Sequence, residues 1–359
     1  MTCDICPKSW CVLLLFLVIP ATSKGKTRIR LDIETAGRWS HFDPNDGIDN
    51  AFSLPRSELG VSAHDPAGLS ARCVVFGIRS APETGYIGID GERMVYALDV
   101  AEGRIHWSNL GLSLGSGLLE HPWIALGNRA WSRRFIRPTI MSEGLSPLLD
   151  RSDLAFELRW NSQRIGVEAW GQIASGEGSR FRERNSGKNL LGVVRWRPLV
   201  QFSPEYADHL SVAIYGQEGS KGVQNSRSHA YGLRLDGHHR WFRTGAEWNQ
   251  SIGYAGDPQP EPVAMSTWLI VYPLNQLAVI ARLDRRDSDR NTENDLTHTV
   301  DLGVSWTLMR GAQKASIDTI YSRSHFQSQA REVAGADVQA TARTIFLQLT
   351  VQFSLAKEH

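Results

Sequence analysis

The stretch Thr344-Ile-Phe-Leu-Gln-Leu-Thr-Val-Gln-Phe353 near the end of the chain decides the fold class, because its polarity alternates with a period of two. One face is apolar and carries Ile345, Leu347, Leu349, Val351 and Phe353. The other face carries Thr344, Gln348, Thr350 and Gln352, with Phe346 as the exception. An extended strand produces this pattern. Its polar face meets water, and its apolar face meets either a protein core or membrane hydrocarbon.

The same alternation recurs along the whole chain, in segments as long as a tilted membrane strand. In the first segment, Ile29, Leu31 and Ile33 oppose four charged residues, Arg28, Arg30, Asp32 and Glu34. These segments predict an all-β fold, a transmembrane antiparallel β-barrel of about 16 strands. The predicted strands are 28–38, 56–64, 70–80, 92–101, 103–112, 152–160, 163–173, 189–197, 209–217, 228–237, 241–251, 264–272, 276–285, 297–308, 313–323 and 344–353.

The connections between these strands alternate between short turns and long polar loops. Short turns are predicted at 65–68, 102–103 and 236–238, where Gly or Pro occurs. Long loops are predicted at 40–54, 176–188, 219–227 and 324–343. Short turns on one side and long loops on the other are typical of outer-membrane barrels. Tryptophans at strand ends suit an interfacial girdle, although a Trp-rich soluble β core is the alternative.

The beginning of the chain resembles a secretory signal peptide. Lys8 precedes an apolar run from Val12 to Ile19, and small residues follow as far as Ser23. The run is too short to span a bilayer as a helix, and an uncleaved anchor or a buried strand is the alternative. We therefore expect a signal peptide at 1–23 and a single barrel domain at 24–359, exported to a bacterial outer membrane.

Charge and cysteine content argue against several other functions. The net charge of +1 gives no reason to expect nucleic acid as a partner. Cys3, Cys6 and Cys11 lie in the predicted leader, so Cys73 is the only cysteine after it and cannot form an intramolecular disulfide. Cys3 and Cys6 have the CxxC spacing without a second pair, which argues against a zinc site. We expect no metal and no cofactor.

The segment 112–152 does not fit a simple hairpin, because no convincing strand is predicted within it. Its apolar residues argue against disorder, so we expect it to fold inward and narrow the lumen. It carries four arginines that would attract anions at such a constriction, Arg129, Arg133, Arg134 and Arg137. The alternative is that these arginines form structural ion pairs with neighbouring carboxylates, at Glu120, Glu143, Asp150 and Asp153.

The predicted strands supply further arginines that we expect to line the pore, namely Arg28, Arg30, Arg164, Arg195, Arg234, Arg243 and Arg282. Carboxylates on the same strands interleave with them, at Glu157, Glu168, Glu247 and Asp284. Opposed acidic and basic side chains suit a water-filled channel. A non-conducting barrel that serves as a scaffold in a secretion or envelope assembly would need the same strands. An outer-membrane hydrolase is a further alternative, but no nucleophile, base and acid converge in the sequence.

Short motifs follow one another along nearly the whole chain after the predicted leader. They include Ser53-Leu-Pro-Arg-Ser-Glu-Leu-Gly-Val-Ser62, Met94-Val-Tyr-Ala-Leu-Asp-Val100, Gly111-Leu-Ser-Leu-Gly115 and Asp150-Arg-Ser-Asp-Leu-Ala-Phe-Glu-Leu158. Further motifs are Gly171-Gln-Ile-Ala-Ser-Gly176, Leu191-Gly-Val-Val-Arg-Trp-Arg-Pro198, Phe242-Arg-Thr-Gly-Ala-Glu-Trp248, the segment 277–284 and the segment 346–353. In content and order they resemble the phosphate-selective porin O/P family of outer-membrane porins.

The resemblance implies a sixteen-stranded, typically trimeric diffusion pore that prefers anions. We therefore expect a porin-like channel for small hydrophilic solutes without enzymatic activity. The expected partners are outer-membrane lipid and lipopolysaccharide, the barrel-assembly machinery, small anionic solutes and two further copies of the chain. This chain departs from the family pattern at its end, where the six residues 354–359 follow the terminal aromatic.

Overall fold

The described residues of a computed structural model form a closed barrel of sixteen antiparallel strands, which confirms the predicted fold class. The structure describes residues 27–42, 50–80, 93–142, 148–176, 178, 187–203, 206, 209–221, 226–227, 229–253, 259–327 and 341–358. The predicted signal peptide at 1–23 lies outside these residues. No helix in the described part of the chain is long and apolar enough to cross a bilayer.

The barrel strands follow one another around the wall in the order of the sequence. They are β1 (Arg28–Phe42), β2 (Asn50–His64), β3 (Leu69–Ser80), β4 (Arg93–Trp107), β5 (Leu112–Glu120), β6 (Ser152–Ser162), β7 (Val167–Ala174), β8 (Asn189–Trp196), β9 (Leu210–Glu218), β12 (His229–His239), β13 (Phe242–Ile252), β14 (Val263–Leu274), β15 (Leu277–Asp287), β16 (Leu296–Met309), β17 (Gln313–Phe326) and β18 (Thr341–Glu358). A separate two-stranded sheet joins β10 (Ser220–Lys221) and β11 (Ser226–Arg227) between β9 and β12.

Helical structure is confined to short segments. One α-helix, α1 (Pro122–Trp131), follows β5, and 3-10 turns occupy Ile140–Ser142 and Pro198–Gln201 in the described residues. The barrel closes where β1 pairs with β18, from Arg28 opposite Glu358 to Phe42 opposite Thr344. The start of β1 and the end of β18 therefore lie on the same side of the barrel, together with short turns such as 65–68 and 108–111.

Alternation of exposure along β18 shows how the sequence pattern maps onto the barrel. Leu347 and Leu349 are 45% and 48% exposed on the outer face, whereas Gln348 between them is fully buried in the lumen. Phe346, the exception in the sequence pattern, also points inward and is buried. Exposed large apolar side chains, mainly leucine, isoleucine, valine and aromatic residues, occur on every barrel strand except β3, so the outer belt is apolar.

Two of the predicted turns are wrong. Glu102 and Gly103 lie inside β4, which continues to Trp107, and the true turn spans 108–111. Gly111 supplies the left-handed conformation that this turn needs, with φ of 63°. The predicted strand 103–112 is therefore the end of β4, and β5 occupies the first nine residues of the expected constriction segment 112–152. The Gly103 backbone stays extended because it pairs with Ser116 of β5.

The second wrong turn is the one predicted at 236–238, which lies within β12. This strand continues to His239, and the chain reverses at residues 240–241. The predicted strand 163–173 also begins too early, since 163–166 form a turn before β7. Asp65–Gly68 is a turn as predicted, with Gly68 at φ of 94° and its N–H bonded to the Asp65 carbonyl. Glycine and polar residues alone therefore do not identify the turns reliably, because they also occur within paired strands.

The outer face of β18 should be intolerant of charge. Leu349→Arg would place a cation against hydrocarbon, at a cost of roughly 2–4 kcal/mol near the bilayer midplane. Gln352→Arg should cost much less, because Gln352 faces the lumen and its amide bonds to Glu34. Urea titration of refolding into lipid vesicles, read by heat-modifiable mobility, measures both costs. Equal losses in the two variants would contradict the assigned faces of β18.

Candidate functional site

The connection between β5 and β6 folds into the barrel, and we call its described residues, 121–142 and 148–151, the lumen loop. The helix α1 opens with Pro122 at its first position, where a missing N–H costs nothing. It ends at Ser132, whose backbone is left-handed with φ of 58° and whose N–H bonds to the Asn128 carbonyl. This end lets the chain turn back along the lumen wall instead of continuing as a helix.

Trp123 anchors the beginning of the lumen loop on the wall formed by β9, β12 and β13. Its indole stacks on Tyr215 with ring centroids 4.6 Å apart, and its Nε1–H donates to Asn249 Oδ1 at 2.8 Å. Arg234 lies over the same indole at 3.9 Å and donates to the Trp123 carbonyl at 3.1 Å. At Gly127 a Cβ would approach Arg234 Nη2 to 2.6 Å, so only glycine lets α1 lie this close to the wall.

A second apolar anchor holds the return of the lumen loop against β14 to β18. Trp131 and Ile136 are buried there among inward-facing apolar side chains that include Trp268, Ile320 and Phe346. Arg38 lies 4.0 Å from the Phe346 ring and donates to the carbonyls of Phe135 and Ile136. The inward turn of Phe346 is thereby explained: this wall residue is buried by the loop and does not meet water.

Two of the four predicted constriction arginines form ion pairs with the barrel wall. Arg134 Nη2 lies 2.5 Å from Glu34 and 3.0 Å from Glu58. Arg137 Nε lies 2.7 Å from Asp301, and its Nη2 donates to Ser322. These carboxylates come from β1, β2 and β16, so the pairs hold the loop to strands that precede it and to one that follows it in the sequence.

The carboxylates observed beside Arg134 and Arg137, namely Glu34, Glu58 and Asp301, are not among those that the sequence suggested as ion-pair partners. Glu120 pairs with Arg72 at 3.4 Å, and Asp153 accepts hydrogen bonds from Ser175 and the Gly176 N–H. Glu143 lies outside the described residues. Sequence proximity misleads here, because the nearest carboxylates across a barrel belong to other strands.

Arg129 and Arg133, the other two constriction arginines, have no ion pair in the described part of the chain. Arg129 projects from the last turn of α1 and its side chain is exposed. Arg133 is partly buried, and its Nε lacks a hydrogen-bond partner among the described residues. Their positive charges are therefore less neutralised than those of Arg134 and Arg137.

The predicted pore-lining arginines occupy three kinds of position. Arg195, Arg234 and Arg282 are buried in the lumen wall beside the interleaved carboxylates Glu168, Glu247 and Asp284 respectively. Arg282 also donates to the Pro138 carbonyl of the lumen loop at 2.8 Å. Arg28, Arg30 and Arg243 line cavities in the lumen, and Arg164 lies on the exposed turn before β7.

Several charged residues of the wall and the lumen loop that shape the site were not singled out from the sequence, namely Glu58, Asp99, Glu102, Arg104 and Arg151. Arg104 bridges Glu102 and Glu157, and Arg151 bridges Glu58 and Asp99. The sequence could have indicated part of this set, because alternate residues face the lumen once the bounds of a strand are known. The misplaced turn at 102–103 hid Glu102 and Arg104, which lie on β4.

Two cavities flank α1 on the side of the barrel where the chain ends lie. The larger, of about 890 Å³, is bounded by β1, β2, β18 and the end of α1. The smaller, of about 310 Å³, lies between α1 and the wall of β7, β8, β9, β12 and β13, and we call it the arginine cavity. Five arginines line it, Arg129, Arg195, Arg197, Arg234 and Arg243. In the described residues no group of three or more His, Cys, Asp or Glu side chains is arranged to hold a metal ion.

A closed barrel of sixteen strands with a loop folded into a charged lumen has the architecture of porins. An anion-selective porin from Comamonas acidovorans shares this fold, with a TM-score of 0.59 and 12% identity over 92% of this chain and 100% of that one. OmpF of Salmonella typhi, in a complex with daunomycin, matches with a TM-score of 0.64 and 9% identity, over 92% and 98% of the two chains.

A trimeric form of OmpT, an outer-membrane protein of Vibrio cholerae, matches with a TM-score of 0.59 and 10% identity, over 92% of this chain and 99% of that one. Identities this low establish the fold alone. No protein-family model and no curated protein sequence matches the chain. The resemblance to the phosphate-selective porin O/P family therefore stays a prediction.

Removing the Trp123 anchor should release the lumen loop while leaving the barrel closed. Trp123→Ala deletes a fully buried indole and its hydrogen bond to Asn249, at a cost of about 3–5 kcal/mol. We expect hydrogen exchange to accelerate across 121–142 while heat-modifiable mobility stays unchanged. Trp241→Ala, at an exposed indole, is the matched control. Unchanged exchange in the Trp123 variant would show that the loop is held elsewhere.

The docked lumen loop should also weaken in acid. Burial lowers the pKa of His121 to about 4, against the opposing effects of Gln217, Asp150 and Glu120. A released loop would bind a proton below its ordinary pKa of about 6.5, and the docked loop would not. Docking is thus strongest above that pH, and weakens by up to about ten-fold per unit as pH falls toward 4.

Hydrogen exchange of residues 121–131, corrected for the intrinsic pH dependence, measures this effect. His121→Gln retains a side chain that can bond to Gln217 but cannot titrate, so its loop-opening equilibrium should be nearly flat over the same range. A wild-type opening equilibrium as flat as that of the variant would contradict the assignment.

Proposed function

We propose that this protein is an outer-membrane channel for the passive diffusion of small hydrophilic solutes, with a preference for anions. The observation that carries the proposal is a closed barrel whose outer belt is apolar and whose lumen is charged and narrowed by an inward loop. Side chains such as Leu349 and Val351 suit hydrocarbon, and inward residues such as Gln352 and Glu34 suit water. A bacterial outer membrane is the proposed location.

The anion preference is supported by cations that keep their charge at the narrowing. Arg129 and Arg133 of the lumen loop have no ion pair in the described part of the chain, and Arg243 of the wall also has none. Guanidinium groups in a water-filled lumen with protein walls of low dielectric attract anions from solution. The resemblance to the phosphate-selective porin O/P family points the same way. The solved anion-selective porin shares the fold at 12% identity.

Assembly and catalysis complete the proposal. The OmpT structure is described as a trimer, and we propose a homotrimer for this chain as well, surrounded by lipid and lipopolysaccharide and inserted by barrel-assembly machinery. Transport by diffusion needs no catalytic group, and we propose that the protein is not an enzyme.

A non-conducting scaffold is the second candidate. It is favoured by the extent of the lumen loop, which packs on β9 and β12 to β14 through Trp123 and on β14 to β18 through Trp131. A loop that contacts opposite walls could close the lumen as well as narrow it. Stepwise conductance of the purified barrel in a planar bilayer separates the two functions, because a closed barrel would give none.

Replacing all four loop arginines by glutamine should shift the ion preference toward cations. Arg129 and Arg133 would lose free charges, and the loss of Arg134 and Arg137 would expose the carboxylates of Glu34, Glu58 and Asp301. The reversal potential in a salt gradient measures the shift. It should be larger at 0.1 M salt, where the Debye length is ~10 Å, than at 1 M, where it is ~3 Å.

Arg164→Gln, on the exposed turn before β7, is the control and should leave the reversal potential unchanged. A quadruple variant with the wild-type preference at low salt would refute the role of the loop arginines. Selectivity would then reside in the wall.

A further inference from the structure

The outside of the barrel carries a group of basic side chains at the end of β15 to β18 that lies away from the short turns. Five residues form this group, which we call the outer basic patch: Arg285, His298, Arg323, His325 and Arg343. Each follows exposed apolar residues at alternate positions of its strand, as Arg323 follows Tyr321. The three arginines are themselves exposed. The patch therefore faces the surroundings of the barrel and not its lumen.

Register between the paired strands brings these residues next to one another. Arg285 is opposite His298, and His298 is opposite His325. Arg323 is directly opposite Arg343. The Cβ atoms of such cross-strand pairs are about 4.5–5.5 Å apart, and like charges at this spacing destabilise a sheet. An anion bound between the guanidinium groups would replace this repulsion with attraction.

Carboxylates of the barrel do not neutralise the outer basic patch. Among the described outward positions of β15 to β18, Asp287 is the one carboxylate. It lies two residues beyond Arg285, and its carboxyl group is hydrogen-bonded to that of Asp295. The three arginines of the patch have no ion pair within the described residues. The patch therefore keeps a net positive charge.

The outer basic patch lies at the height of a membrane boundary. On β18 the outward residues from Ile345 to Leu355 are all apolar, and Arg343 and Lys357 stand at the two ends of this run. Ten residue steps of about 3.3 Å, on a strand tilted by about 35–45°, cover about 25 Å of height, which is the height of the apolar band in outer-membrane barrels. In the proposed membrane, Arg343 therefore lies among the headgroups of the leaflet on the side of the long loops, the outer leaflet.

We propose that the outer basic patch binds a phosphate-bearing lipid of the outer leaflet, with the phosphate held by Arg285, Arg323 and Arg343. The guanidinium fork matches pairs of phosphate oxygen atoms, and the imidazoles of His298 and His325 can add hydrogen bonds. The acyl chains lie on the exposed apolar residues next to the patch, Leu283, Leu302, Tyr321 and Ile345. The proposal rests on the proposed outer-membrane location and does not require conduction.

Two features favour a lipid over a free phosphate ion. The apolar side chains beside the patch offer nothing to an inorganic ion, whereas an amphiphilic ligand contacts the charged and the apolar residues together. The two ends of the strands also differ. At the turn end of β15 to β18, Lys357 is the one cation at a described outward position of these strands. The charge therefore selects one leaflet, as a headgroup ligand requires.

Lipid binding to the full-length barrel, folded in the phosphate-free detergent dodecyl maltoside, tests this site. The probe is diphosphoryl lipid A. Native mass spectrometry counts the bound molecules, and titration with a fluorescent form gives the affinity. We expect one tight site per chain and at least about ten-fold weaker binding in R285Q/R323Q/R343Q, because each arginine at an anionic lipid surface contributes about five-fold. Bound lipid should also raise the temperature of heat modification of the wild type.

R164Q/R240Q/K357Q removes the same number of exposed cations at the turn end of the barrel and is the matched control, with lipid affinity unchanged. Monophosphoryl lipid A should bind the wild type more weakly than the diphosphoryl form does. Inorganic phosphate at the concentration of the lipid should not displace it. Heat-modifiable mobility must show that every variant is a folded barrel.

The proposal is overturned if R285Q/R323Q/R343Q binds diphosphoryl lipid A as tightly as the wild type does, or if the control variant loses as much affinity. Displacement of the lipid by an equal concentration of inorganic phosphate would also overturn it, since the site would then be one for free anions. Planar-bilayer conductance keeps these results separate from the proposed function. A barrel that binds the lipid without conducting would refute the channel and keep the site. A conducting barrel whose triple variant keeps full lipid affinity would do the reverse.

Discussion

Closure of the backbone hydrogen bonding is the constraint on which the rest of this structure depends. A bilayer offers no donors or acceptors, so a sheet with a free edge could not persist in it. In the membrane location that we propose, the chain meets this requirement by pairing its first barrel strand with its last, from Arg28 to Phe42 on β1. Once the ring is closed, the parity of each strand position determines whether a side chain faces outward or into the lumen. The apolar belt and the charged lumen are both consequences of that parity.

A lumen this wide would be open if nothing filled it, and here the loop between β5 and β6 fills part of it. Apolar burial holds the loop at two places, around Trp123 and around Trp131. The wall contributes inward-facing apolar residues where these two tryptophans dock, so the lumen face is not uniformly polar there. Removing arginines from water is expensive unless they are paired, and Arg134, Arg137 and Arg234 are each paired with a carboxylate. Arg134 and Arg137 therefore hold the loop against the wall through ion pairs, and Arg234 does so through its hydrogen bond to the Trp123 carbonyl.

The division between paired and unpaired arginines gives the lumen an uneven distribution of charge, on which the proposed anion preference depends. Cations fixed by carboxylates contribute little net field, whereas Arg129 and Arg243 keep their charge beside a small cavity. A field from a few uncompensated charges is enough to enrich anions at low ionic strength. The composition of the whole chain, which is nearly neutral, does not reveal this local imbalance.

The sequence by itself determined the fold class, the approximate number of strands and the inward or outward direction of most strand residues, because alternation with a period of two is a local property. It did not determine the turn after β4 or the start of β7, since glycine and polar residues also occur within paired strands. It left Phe346 as an unexplained exception and did not name the wall carboxylates that pair with Arg134 and Arg137. Only the tertiary structure decided those points. Arg134 lies 100 residues from its partner Glu34, Phe346 lies more than 200 residues from Trp131 in the same cluster, and the closed barrel brings both pairs together.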